Sequence, residues 1–112
     1  MTLEQQLLYV KFLERCARDC ERWANECVAD GKAVKMGKSV RLCRDCAELC
    51  RATADALTRG TKFVYEICRG CIETCEACAV ECGKSEAVSA QRCVEACRDC
   101  VEELQQLEEA TV

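Results

Sequence analysis

Cysteine recurs in this chain at steps of three and four residues. The stretch CRGCIETCEACAVEC, Cys68 to Cys82, carries five cysteines in fifteen residues, separated by three, four, three and four. On a strand such steps would scatter the thiols over both faces. On an α-helix they stay on one face. The same steps return in three other segments, so the spacing demands four helices with one cysteine stripe each.

The first stripe holds Cys16, Cys20 and Cys27, with Trp23 in the gap. The second holds Cys43, Cys46 and Cys50 and continues through Thr53 and Leu57. The third starts at Val64 and runs Cys68, Cys71, Cys75, Cys78, Cys82. The fourth runs from Ala90 through Cys93, Cys97 and Cys100 to Leu104 and Leu107. Alternating steps of three and four mark the inward a/d seam of a helix in a bundle.

Punctuation agrees with four segments. Thr2 with Gln5 forms a capping box, and that helix runs to Asp30 before Gly31. A second helix is expected from about Val34 to Thr58, with Ser39 as an alternative cap and Gly60 as the stop. A third runs from about Thr61 to Cys82, ended by Gly83. A fourth starts after Ser85 or Ser89 and reaches about Glu109. Short turns between helices of similar length predict an all-α, antiparallel, up-down-up-down four-helix bundle with a cysteine-lined core. The 112 residues make one domain, 1–112.

Antiparallel packing sorts the stripes by end. Cys27, Cys43, Cys82 and Cys93 fall nearest the turns joining helices one to two and three to four. Cys16, Cys50, Cys68 and Cys100 fall deepest. Beyond them Leu13, Leu57, Val64, Leu104 and Leu107 meet as a hydrocarbon plug. Tyr9, Phe12, Phe63 and Tyr65 are expected to seal that half, and Trp23 to anchor the packing. The expected picture is a thiol-lined tube, closed at one end and open at the other.

Fourteen cysteines in 112 residues would suit a secreted disulfide scaffold. The start MTLEQQLLYVKFLERC has no basic leader with an apolar run, so a cytosolic location is expected, where thiols stay reduced. Helical neighbours three or four apart also sit too far apart, about 5–6 Å between Cβ atoms, for an unstrained disulfide. Net charge is −4 without a basic stripe, which argues against nucleic acid. No apolar stretch reaches membrane-spanning length.

Histidine is absent, which removes mixed Cys/His zinc sites and His-assisted thiol catalysis. Iron–sulfur clusters are held by a different cysteine run, such as C-x2-C-x2-C-x3-C-P. Structural zinc needs four ligands per ion. The C-x2-C pairs 43/46, 68/71, 75/78 and 97/100 keep zinc or general soft-metal sequestration open as an alternative. A thiol redox protein needs one privileged thiolate, and every C-x2-C pair here is mid-helix on an inward face. Thiols as mere small hydrophobes explain one or two positions and not fourteen.

Cu(I) fits the spacing best. Thiolates are soft ligands that select it, and two suffice. A linear S–Cu–S unit spans roughly 4.6 Å for a metal–sulfur bond of about 2.3 Å. The pairs 16/20, 46/50, 71/75, 78/82 and 93/97 supply that reach, with Cys27, Cys43, Cys68 and Cys100 bridging between helices. The expected function is a non-catalytic Cu(I) store.

The segments SVRLCRDCAELCRATADALTRG, YEICRGCIETCEACAVEC and QRCVEACRDCVEEL resemble the bacterial copper storage proteins. The resemblance spans the chain, most strongly residues 39–104. It implies many Cu(I) ions on the fourteen cysteines and the cytosolic kind of store. It also implies exchange with a copper donor or acceptor protein, and homotetramers in some cases. Members often carry His or Met where copper comes in. Only Met36 stands near that end here, as a thioether ligand or a plain turn residue. Ser39, Thr53, Ala90 and Leu104 hold seam positions that a thiol would extend.

Overall fold

The computed structural model describes residues 1–111, with side chains through Leu107. Four helices make up the ordered elements: α1 (Leu3–Ala29), α2 (Gly37–Arg59), α3 (Val64–Cys82) and α4 (Val88–Thr111). Among the described residues there is no strand. Each helix packs on its two neighbours around a ring, α1–α2–α3–α4 and back to α1, and diagonal helices meet only through core side chains such as Cys16–Cys75 and Cys43–Cys93. The molecule measures 43 × 20 × 20 Å. Its length is that of α1 alone, about 40 Å at 1.5 Å per residue. No described helix is long and apolar enough to cross a membrane.

The Thr2 cap forms as expected. Its hydroxyl accepts from the Gln5 N–H at 3.1 Å, and the Gln5 side chain accepts from the Thr2 N–H at 2.8 Å. Asp30 closes α1, and Gly31 follows at φ +71°. Gly60 caps α2 at φ +72°, where its N–H donates to the Ala56 carbonyl at 3.0 Å. Both glycines sit in the left-handed region that a side chain disfavours.

Two helix starts differ from expectation, and that of α4 falls after Ser85 as expected. α2 begins at Gly37 and not near Val34, because residues 33–36 form a tight turn. The Met36 N–H donates to Lys32 at 2.7 Å, and Val34 is 97% exposed with nothing apolar to hold it. Ser39 is therefore no cap; it lies inside α2 and is buried. α3 begins at Val64, since the Thr61 hydroxyl accepts from the Phe63 N–H and holds a turn. α4 begins at Val88. Ser85 caps only a local turn by accepting from Ala87, and Ser89 reaches across to Glu26 at 2.6 Å.

The core is one continuous cluster running from Leu13, Leu57, Leu104 and Leu107 into the cysteines. Val64 is only partly buried against it. Tyr9 and Phe12 are half-buried, but Phe63 and Tyr65 are 54% and 41% exposed, so these two do not seal the plug. Phe63 sits in the turn before α3, where its ring lies under the Lys62 ammonium, 5.2 Å away. The outer faces carry cross-helix ion pairs. Arg15 of α1 reaches Asp99 of α4 at 2.8 Å and Asp19 at 3.8 Å, and Arg51 pairs with Glu21. Such exposed pairs contribute about 0–1 kcal/mol each.

Candidate metal centre

All fourteen cysteines are free and buried. The two helical periodicities place them in one column along the bundle axis. Their Sγ atoms approach mainly between helices. Cys43–Cys82, Cys46–Cys75 and Cys93–Cys20 are each 3.5 Å apart, and Cys16–Cys97, Cys20–Cys97 and Cys43–Cys78 are 3.7 Å apart.

Five groups of four thiols have all their Sγ atoms within 4.8 Å of one another. From the turn end inward they are 43/78/82/93, 20/78/93/97, 16/20/46/97, 16/46/50/75 and 50/71/75/100. Each group shares two cysteines with the next: 78 and 93, then 20 and 97, then 16 and 46, then 50 and 75. The result is an unbroken ladder of joined tetrahedra. Each group contains one pair four residues apart on a single helix. That pair is supplied in turn by α3, α4, α1, α2 and again α3. The ladder therefore turns around the ring of helices, one helix per step.

The five pairs expected to span a linear metal unit, 16/20, 46/50, 71/75, 78/82 and 93/97, each lie within one group. Cys43 and Cys100 join groups from other helices, as bridging requires. Cys27 and Cys68 belong to none of the five. Cys27 is set apart by Trp23, which takes the seam position between it and Cys20.

The thiols share protons unevenly. Hydrogen bonds from Cys20 and Cys43 draw the Cys78 and Cys93 thiols down from the ordinary range. Cys82 is pushed up by its hydrogen bonds to Cys43 and Cys78 and by burial. Cys97 is pushed up by those to Cys16 and Cys20 and by burial. Cys27 is raised chiefly by burial, with the Lys32 charge opposing and Asp30 and Glu26 adding. Every group thus contains both lowered and raised thiols, because each thiol that gives up its proton easily is hydrogen-bonded by neighbours that keep theirs.

One feature escaped sequence reasoning. Trp23 is buried as an anchor should be, yet its Nε1–H has no hydrogen-bond partner among the described residues. Ser39 lies on the α2 seam one turn outside Cys43. It lines a cavity of about 170 Å³ with Met36 at the turn end. Met36 is partly buried against the core. Positions 36, 39, 43, 46 and 50 thus carry the three-and-four spacing out to the surface. The sequence alone places Ser39 on a seam and Met36 near this end; the cavity they share is not legible there.

A ring of four helices enclosing a continuous ladder of thiols defines a class of protein: a bundle built to hold several soft metal ions. Residues 3–109 match the family described as Csp, copper storage protein, and the chain belongs to that family. It is 32% identical over 88 residues to the "Uncharacterized cysteine-rich protein YhjQ" of Bacillus subtilis (strain 168), covering 79% of this chain and 82% of that protein. Its fold matches the Cu(I)-bound copper storage protein BsCsp3 with a TM-score of 0.88 at 28% identity, covering 93% of this chain and 98% of the other. A cytosolic copper storage protein from Streptomyces lividans, solved with five coppers, matches equally at 0.88 and 29% identity over 95% and 93% of the two chains.

Proposed function

We propose that this chain is a cytosolic, non-catalytic store of Cu(I), with residues 1–112 acting as one domain and all fourteen cysteines as ligands. The observation that carries the reading is the ladder of five thiol groups joined two by two. Shared edges suit an ion that needs only two or three soft ligands, because one thiolate can serve two ions. They also suit charge. One proton released per Cu(I) bound leaves a neutral core, whereas an excess of thiolates would bury net negative charge at high cost. Exchange with a copper donor or acceptor protein and assembly into a tetramer belong to this reading through family likeness alone.

Ions move along the ladder by exchange. A Cu(I) held by Cys78 and Cys93 already touches two groups, and the next step needs only Cys20 or Cys97. Metal comes in at the turn end, past Met36 and Ser39 to Cys43. At the far end Leu13, Leu57, Leu104 and Leu107 offer an ion no ligand.

Zinc has one observation in its favour: Sγ separations of 3.5–4.0 Å also suit a tetrahedral four-thiolate site. Joined groups count against it. The twelve thiols in the groups could close about three separate zinc sites, each with a buried double negative charge. Loading the reduced protein with excess Cu(I) and, separately, Zn(II) decides between them. At least roughly ten Cu(I) per chain are expected from bridging. One or two Cu(I) per chain, or zinc binding that Cu(I) cannot displace, would overturn the reading.

A further inference from the structure

The cavity at the turn end carries charge that storage alone does not explain. Three lysines, Lys35, Lys38 and Lys84, stand around it, together with Met36, Ser39 and Glu81. Glu81 is held by Lys84 at 2.8 Å and Lys38 at 3.9 Å. Three ammonium groups against one carboxylate leave the rim positive in a chain whose net charge is −4. The cavity also opens at the N-terminus of α2, where Met36 supplies no side-chain cap and, of the first-turn N–H groups, that of Gly37 donates to the Val34 carbonyl at 3.3 Å. The helix dipole adds positive potential there.

A second observation points to a ligand. Ser39 is 2% exposed and lines the cavity, yet its hydroxyl has no protein hydrogen-bond partner among the described residues. A hydroxyl that lines the cavity and makes no protein hydrogen bond is free to bond an occupant of it. Next to it stands the Met36 thioether, a soft donor at the outer end of the α2 seam.

We propose that this cavity recognises copper as a small anionic Cu(I)–thiolate complex, the carrier being a low-mass thiol that bears a carboxylate. The proposal rests on the storage reading and names the form in which the metal arrives. The carboxylate takes the lysine rim and the Ser39 hydroxyl, with the α2 dipole adding to both. That places the metal beside Met36, one step from Cys43 and Cys82. Two carrier thiolates leave and two protein thiols take their place. Each protein thiol gives its proton to a departing thiolate, so charge is conserved and copper stays Cu(I); as the ion joins the bridged ladder, one of the two protein thiolates takes a proton back from solvent, which returns the count to one proton lost per stored Cu(I). The released carrier is a neutral-headed thiol that no longer holds metal in the cavity.

The test compares two donors that differ only in charge: Cu(I) complexed by N-acetylcysteine, which keeps its carboxylate, and Cu(I) complexed by N-acetylcysteine amide. Transfer into the reduced full chain is followed by stopped flow. Steering by the rim should make the carboxylate donor about tenfold faster at low salt, an advantage that added salt removes. The combined variant Lys35→Gln, Lys38→Gln, Lys84→Gln should lose that advantage and leave the amide donor within about twofold of wild type, since only charge steering has gone. Met36→Leu should slow both donors alike, because it removes the metal hand-off and not the carrier contact. Equal rates for the two donors in wild type, or a triple variant that slows both equally, overturns the proposal. Salt dependence in wild type needs no variant to fold. If instead wild type binds only one or two ions from either donor, the storage reading itself fails.

Discussion

The two halves of this bundle use the same helices, the same seam positions and the same burial, and differ in what fills the seam. At one end Leu13, Leu57, Leu104 and Leu107 interlock as hydrocarbon. At the other, cysteine occupies nearly every inward position, with Ala17, Ala24, Ala47, Ala54, Ala79 and Ala96 packed behind. Leucine buries more apolar area per residue than cysteine or alanine, at about 25 cal/mol per Å². The leucine half therefore contributes more to folding for its length, and the thiol half contributes sites. Reduced cysteine is still a buried hydrophobe, so the thiol half is expected to fold without metal, as a helical far-UV circular dichroism spectrum of the reduced, metal-free protein would show.

The largest effect should come from the hydrocarbon end. Leu104→Ala removes a fully buried side chain and should cost the apo protein about 2–5 kcal/mol in urea unfolding. The Cu(I) count per folded chain should not change. A loss of copper capacity in that variant would show that the two halves are not separable.

The mirror-image change is Cys46→Ala. It takes away one sulfur and should cost about 1 kcal/mol, like a small core truncation. Cys46 belongs to two adjacent groups, so more than one Cu(I) should be lost. Loss of a single ion, counted by chelator titration, would mean that the groups fill independently.

Thr53 marks the border. It is fully buried, and its hydroxyl donates to the Leu49 carbonyl at 2.7 Å. Thr53→Cys gives up that bond, which is worth little inside a helix, and extends the α2 seam inward from Cys50. Stability should stay within about 1 kcal/mol, the net worth of one such hydrogen bond. Capacity should rise, read as extra Cu(I) bound per chain at saturation.

The smallest effect is on pH. Burial raises the Cys27 thiol, so the folded state keeps its proton above the unfolded value of about 8.5. Its contribution to stability is full below that value and lost as pH rises through the folded value. Apo stability should fall on the alkaline side, and Cys27→Ser should flatten part of that fall. An identical alkaline profile in the variant would remove Cys27 from the account.

Much of the architecture was legible because helix geometry is local. Steps of three and four fixed four helices and their inward faces, and Thr2, Gln5, Gly31 and Gly60 marked ends that the chain obeys. The starts of α2 and α3 were misread, since Met36 and Phe63 cap without any side-chain hydrogen bond and leave no mark in the sequence. The exposure of Phe63 and Tyr65 followed from that later start. The pairs four apart were legible as candidate sites, but their partners were not. Which thiols from other helices complete each group depends on axial stagger and rotation between helices. No spacing within one helix records that.

The turning of the ladder has a consequence for motion. Each rung is anchored on three helices, and the doubly anchored helix changes at every step. Once filled, the column would stitch every helix to the others along most of its length, so no one of them could peel away by itself. In the empty protein, amides near helix ends and turns should exchange with solvent through local fraying, each with its own free energy. In the filled protein those separate values should merge across α1 to α4 into one slow rate set by metal release. The cargo would then act as the rivets of its own container.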